Sequence, residues 1–215
     1  MLKIYGTELS SPSNKVRFVA HELGLEYEYK SVNLISGENK LEAHLKLHPA
    51  GKVPVIDDDG FVLFESSAII RYLAVKSDSP LYPTGAKQRA LVDQWSDFAS
   101  HHIATGLSRV LVNRVFAPFL NQEVDERSIT EGLSFLERFL PVVDAPLKER
   151  RYLAGGELTL ADFSLLSALD PAEVAQVDLS GYLNITRWRQ DLMARDCYTK
   201  CHKSYADVLA AVAGG

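Results

Sequence analysis

The sequence predicts an α+β chain in two parts. A mixed strand–helix domain is expected over residues 1–76, a linker over 77–87, and an all-helical domain over 88–215. Three observations predict this. Short β-branched and aromatic runs alternate with amphipathic stretches as far as Lys76. Residues 77–85, SDSPLYPTG, have the composition of a connection. Beyond them the strand-like alternation stops, and long apolar patterns of helical period take over.

The elements follow in order. Leu2–Tyr5 reads as a short strand. Over Lys15–Leu23, Val16, Val19, Ala20 and Leu23 recur at helical spacing, and Gly24 suits the C-terminal cap. Tyr27–Val32 is a second strand, and Lys40–Leu47 a modest helix stopped by Pro49 and Gly51. Val53–Ile56 and Phe61–Phe64 form a hairpin around Asp57-Asp58-Asp59-Gly60. Ser66–Lys76 is amphipathic through Ile69, Ile70, Tyr72 and Leu73. This βαβαββα order is that of a thioredoxin-like domain. After the linker, helical patterns run from Gln88 to Phe116 and from Glu123 to Leu147. Gly155-Gly156 interrupts them. Thr159, with Asp162 three residues on, then reads as a fold-stabilising cap before Phe163, Leu165, Leu166 and Leu169.

With 215 residues, 47% hydrophobic and 24% charged, the chain can bury a sizeable core. Residues 1–76 carry nine basic and ten acidic side chains, the rest fourteen and eighteen. Neither part has the basic footprint of a nucleic-acid binder. No apolar run approaches the roughly 20 residues of a membrane span. The N-terminus goes straight into strand-like residues without a signal-peptide core, so a cytoplasmic protein is the expectation. The two cysteines, Cys197 and Cys201, share a helix face beside His202. That is too few ligands for a metal site, so structural thiols and no metal are expected.

Chemistry concentrates in Lys52-Val53-Pro54-Val55 and Phe64-Glu65-Ser66-Ser67-Ala68-Ile69. A strand opened by Pro54, which donates no backbone hydrogen bond, is expected at a sheet edge or beside something other than protein. X-Pro bonds are cis in about 5–6% of cases, so the sequence alone favours trans. Were this bond cis, the Val53 backbone would turn outward and pair with an extended peptide. Glu65 and Ser66, at a helix N-terminus, would hold that peptide's charged end. A third segment, from Glu8 to Arg17 through Ser10-Ser11-Pro12-Ser13, leads from a strand into a helix N-terminus. Such a terminus favours an anion.

The run from Gly37 to Ala74, GENKLEAHLKLHPAGKVPVIDDDGFVLFESSAIIRYLA, resembles the glutathione-binding half of cytosolic glutathione S-transferases, nearest the phi and theta classes. The likeness is strongest over residues 1–76 and weaker beyond. It implies a serine-type transferase that joins the glutathione thiolate to small hydrophobic electrophiles, as in detoxification. It implies glutathione as co-substrate with no bound cofactor, and a homodimer. Asn39 and Lys40 match the pair that meets the glycine carboxylate of glutathione, and the stem of Lys52 lies along the ligand. Val53, with Pro54, presents backbone N–H and C=O to the cysteinyl unit. Glu65 takes the γ-glutamyl ammonium and Ser66 the α-carboxylate.

A free thiol titrates at about 8.5, and lowering this by two units takes about 2.7 kcal/mol. One hydrogen bond to a charged group supplies about 1.5–3 kcal/mol, so one serine hydroxyl plus the helix dipole suffices without a general base. Aligning Val16 and Arg17 with the family pattern puts this role on Ser10, with Ser11 as the alternative. Ser13 is expected to cap the helix, and Tyr5 to pack in the core. The electrophile site is expected from Leu9, Pro12, Leu34 and Ile35, with His101, His102, Thr105, Arg109 and Phe116 on the long helix. Arg109 and Arg114 would stabilise a negative transition state.

Two other classes stay open. One is a different glutathione-dependent enzyme on this scaffold, an isomerase or a peroxidase. The SSxSxxVR turn is similar to the zeta-class isomerase motif, with Pro12 in place of its cysteine. The other is a non-catalytic glutathione-binding module. A cysteine-type thiol transferase is disfavoured, because no cysteine precedes Cys197.

Overall fold

The computed structural model describes residues 1–213 and contains two compact units. One comprises Met1–Tyr82 together with the segment from Arg195 onward, and the other is Pro83–Ala194. The segment from Arg195 thus groups with the first unit, whereas the sequence suggested one helical domain over 88–215. Its side-chain contacts explain the difference: the buried Tyr198 lies with its ring 5.1 Å from that of Phe18, and the half-buried Arg195 donates from Nε to Glu22 at 3.2 Å.

The first unit runs β1 (Leu2–Gly6), α1 (Ser11–Glu22), β2 (Tyr27–Ser31), a 3-10 turn at Glu38–Lys40, α2 (Glu42–Leu45), β3 (Val55–Asp58), β4 (Phe61–Phe64) and α3 (Ser66–Lys76). The strand order is β2-β1-β3-β4, with β1 parallel to β2 and the other pairs antiparallel. Thioredoxin-like architecture is therefore present. Ile4 and Ile56, paired across β1 and β3, are fully buried, as are Val16 and Val19 of α1 and Ile69 of α3.

The hairpin turns at Asp59 and Gly60, both at positive φ, and the Gly60 N–H is taken by Asp57 at 2.8 Å. β3 is an inner strand, so of the two expectations from Pro54 the sheet edge is not met. The ladder begins at Val55, so the proline lies just outside it and removes no cross-strand bond. Behind the sheet, the buried Asp58 accepts from Tyr72 at 2.6 Å and pairs with Lys76.

The second unit opens with one helical run: α4 (Ala86–Phe98), a π segment at Ala99–Ile103, α5 (Ala104–Leu111), a π segment at Val112–Phe116 and α6 (Ala117–Phe119). α7 (Glu126–Leu147), α8 (Leu160–Leu169) and α9 (Leu183–Met193) complete it. α5 crosses α7 where Gly106 meets Gly132. A Cβ on Gly132 would stand 2.7 Å from the Gly106 carbonyl oxygen, so the crossing requires glycine there.

All ten residues of α8 are buried. Its entry is held by Asp162, which accepts from the Thr159 N–H at 2.9 Å, the Thr159 hydroxyl at 3.1 Å, the Leu153 N–H at 2.8 Å and Trp188 Nε1 at 3.0 Å. After α9 the chain rejoins the first unit as α10 (Asp196–Thr199) and α11 (Tyr205–Ala213). Among the described residues, no helix is long and apolar enough to cross a membrane, and no group of three or more His, Cys, Asp or Glu side chains is placed to hold a metal.

Candidate active site

Every glutathione-pocket and serine candidate lies in the first unit, in the turn after β1, the 3-10 turn at Glu38–Lys40, the loop before β3 and the start of α3. α1 begins at Ser11, with Pro12 in its first turn, where a missing N–H costs nothing. Its N-cap is Ser10, whose Oγ accepts from the Ser13 N–H at 3.3 Å. This corrects the expectation that Ser13 caps the helix. The helix starts two residues before Ser13, whose side chain is fully buried behind it. Because Ser10 Oγ accepts the cap bond, its own proton remains to donate elsewhere. The neighbouring Ser11 Oγ is engaged instead with the Tyr205 hydroxyl at 2.9 Å. Tyr5 is half-buried, less enclosed than a core residue.

The Val53-Pro54 bond is cis, the less frequent outcome for such a bond. Neither the N–H nor the carbonyl of Val53 is hydrogen-bonded among the described residues. The loop leading to it is tied down on both sides. His44 Nε2 meets the Lys52 carbonyl at 2.8 Å, and Asn39 Nδ2 donates to the Gly51 carbonyl at 2.7 Å. Gly51 has φ +59°, and a Cβ there would stand 2.7 Å from the Asn39 carbonyl oxygen. Asn39 thus serves the loop itself, while Lys40 and Lys52 are exposed and held in no ion pair among the described residues.

At the entry of α3, Glu65 has φ 70° and ψ 107°, an unfavourable backbone for a residue with a Cβ. Its side chain does not cap the helix and is exposed. Ser66 is half-buried in the first turn, where N–H groups lack intrahelical partners. The next residue, Ser67, accepts from Lys15 Nζ at 3.0 Å, so α1 and α3 are braced at their N-terminal turns by a buried ammonium. The result is a free backbone strip at Val53 and an anion-favouring helix end with an acid beside it. A hydroxyl stands at a second helix N-terminus.

The electrophile candidates are less uniform. In the first unit, Leu34 and Ile35 are exposed, as is Pro12, and Leu9 is half-buried. In the second unit, His102 packs between Phe98 and Phe139, with ring centroids at 4.7 and 4.5 Å. His101 is exposed and Thr105 half-buried. Arg109 donates to Glu131 at 2.6 Å, and Arg114 to the carbonyls of Ala175 and Gln176 at 3.0 and 2.9 Å. Both guanidinium groups are thus engaged in internal bonds. His102 and Phe116 sit in the two π segments. Sequence reasoning missed His44, Lys15 and Tyr205. Each acts through a contact between separate elements, and no local pattern announces it.

Two family models match the chain: "Glutathione S-transferase, N-terminal domain" over residues 1–75 and "Glutathione S-transferase, C-terminal domain" over residues 107–196. Glutathione S-transferase 4 of Zea mays is 32% identical over 203 residues, covering 93% of this chain and 91% of the relative. Glutathione S-transferase D7 of Drosophila melanogaster is 32% identical, covering 87% and 82%. Glutathione transferase F7 of Populus trichocarpa superimposes with a TM-score of 0.86 at 27% identity, covering 93% of this chain and 97% of that one. A theta-class glutathione S-transferase of Xanthomonas axonopodis pv. citri, solved with glutathione bound, gives 0.85 at 30%, covering 93% and 95%. Two matched domains, and identity above 30% across nearly the whole chain, establish that the protein belongs to the glutathione S-transferase family.

Proposed function

We propose that the protein conjugates glutathione, as its thiolate, to small hydrophobic electrophiles. The observation that carries this is the unpaired backbone of Val53 in the same unit as the exposed Glu65 at the head of α3 and the Ser10 hydroxyl at the head of α1. Glutathione lies extended along Val53. Glu65 pairs with its γ-glutamyl ammonium. Ser66 and the first N–H groups of α3 take the α-carboxylate. Lys40 and Lys52 face the glycine carboxylate. Ser10 donates a hydrogen bond to the sulfur and keeps its own proton, so the thiol loses its proton to solvent more readily and the thiolate attacks directly. The apolar co-substrate meets Leu9, Pro12, Leu34 and Ile35. The protein acts as a cytoplasmic homodimer, with the exposed Phe61, Val62 and Phe64 of β4 as apolar surface for the partner copy.

The test is a pH titration of thiolate absorbance for glutathione bound to the protein, with conjugation to a dinitrohalobenzene on the same sample. A depressed thiol pKa together with turnover is expected. Binding without a shifted pKa would reduce the protein to a glutathione-binding module, and no binding would overturn the proposal.

A further inference from the structure

The turn that carries Ser10 is clasped from the far end of the chain. On one side, Lys203 Nζ lies 3.4 Å from Glu8 Oε1, and Arg17 reaches the same oxygen at 3.9 Å. On the other, the Tyr205 hydroxyl meets Ser11 Oγ at 2.9 Å, across 194 residues of sequence. All of these residues lie in the first unit. Tyr205 is only 3% exposed, whereas Ala206 and Asp207 beside it are exposed. Ser204 Oγ accepts from the Asp207 N–H at 3.1 Å and so fixes where α11 begins.

Within the turn the Ser10 backbone is bonded on both sides, its N–H donating to the Thr7 carbonyl at 3.1 Å and its carbonyl accepting from the Asn14 N–H at 2.9 Å, whereas among the described residues its side chain makes only the cap bond. Its cap bond of 3.3 Å lies beyond the usual N–H···O range of about 2.7–3.2 Å. A hydroxyl that must point at a sulfur is aimed by the turn that carries it, and Ser11 is the covalent neighbour of Ser10.

We propose that Tyr205 is a positioning residue for thiol activation, acting through Ser11 to hold the turn that aims the Ser10 hydroxyl. The proposal rests on the assignment of Ser10. The C-terminal segment thus takes part in the chemistry without touching the substrate. Its hydrogen bond matters most where the thiol must be ionised by the protein, and least at high pH, where the thiol ionises unaided.

The test compares Tyr205→Phe, Ser11→Ala, the double variant and Ser10→Ala in the full chain. Bound-thiol pKa, glutathione Kd and the pH profile of kcat/KM with a dinitrohalobenzene are read for each. Tyr205→Phe keeps the ring and removes only the hydroxyl. It is expected to lower kcat/KM about three- to tenfold on the acid limb, the range of one neutral hydrogen bond. The profiles should converge at high pH, and Kd should stay within about twofold. Ser11→Ala should give the same shift, and the double variant no more than either alone.

Should Tyr205→Phe fail to fold, Ser11→Ala breaks the same bond from the opposite side, and its pKa decides. An unchanged thiol pKa in the single variants, or additive shifts, overturns the proposal while a raised pKa in Ser10→Ala leaves the Ser10 assignment standing. An unchanged pKa in Ser10→Ala removes both.

Discussion

Replacing Ser10 by alanine removes an oxygen with one observed role, the helix cap, and one proposed role, the thiolate donor. As N-cap, Ser10 Oγ accepts from the Ser13 N–H at 3.3 Å. Loss of an N-cap costs about 0.5–2 kcal/mol, and the length of this bond puts the expected loss at the lower end, about 0.5–1 kcal/mol. As the proposed thiolate donor, Ser10 would make a bond to a charged group, worth about 1.5–3 kcal/mol. At about 1.4 kcal/mol per unit, that is one to two units on the pKa of bound glutathione. Glutathione affinity should stay within a few-fold, because the proposed binding mode holds the ends of the tripeptide elsewhere.

A second variant separates the two jobs. Ser10→Asp restores an acceptor for the Ser13 N–H, and aspartate is among the best N-caps. It has no proton to give and adds a negative charge beside the sulfur. Its unfolding free energy should return to the wild-type value, while its bound-thiol pKa should rise above that of Ser10→Ala. The assay is thiolate absorbance against pH with saturating glutathione, alongside urea unfolding. An unchanged titration midpoint in Ser10→Ala would refute the assignment and move the role to Ser11 or to backbone donors. A thiol pKa that follows stability across the two variants would show that Ser10 only caps the helix.

Glu65→Gln should weaken glutathione binding by about 2–3 kcal/mol in calorimetry, the loss of a charge-assisted bond; tight binding would discredit the orientation of the tripeptide. Asp162→Ala should destabilise the fold by at least about 3 kcal/mol in urea unfolding. It strands the N–H groups of Leu153, Thr159 and Trp188 around a side chain with 0% exposure, at about 1–3 kcal/mol each. A loss below about 1 kcal/mol would show that water replaces the carboxylate. Hydrogen bonds from Lys76 and then Tyr72 hold the Asp58 carboxyl below the usual carboxylate range. The folded state therefore favours its ionised form. The resulting stability is present above the unfolded pKa of about 3.9 and is lost as pH falls through the lower folded value. Asp58→Asn should flatten the acid limb of a stability–pH curve below about pH 4; an unaltered slope would exclude this cluster as its source.

Much of the first unit was legible in local patterns. The turn at Asp59-Gly60 needs positive φ at two successive residues, and the sequence supplies residues that tolerate it. The Thr159–Asp162 cap depends on a spacing of three residues, and it appears where that spacing put it. The Val53-Pro54 and Glu65-Ser66 pair was likewise visible, because strand, turn and helix onset each leave a local mark.

The finer assignments were not local. Which serine caps α1 depends on where the helix begins, and packing of the fully buried Ser13 against Gly6 places it behind that start. Whether the Arg109 guanidinium faces a ligand or a carboxylate depends on Glu131, brought beside it by the Gly106–Gly132 crossing of two helices.

By itself, the sequence determined the α+β architecture, because periodicity, caps and turn residues act within a few positions of one another, and its resemblance over residues 37–74 pointed to the family. Only the tertiary structure decided that Ser10 is the cap, that Lys15 braces Ser67, and that Tyr205 returns to Ser11. Each of these is a bond between side chains or turns whose separation is set by packing, and a hydrogen bond tolerates only a few tenths of an ångström.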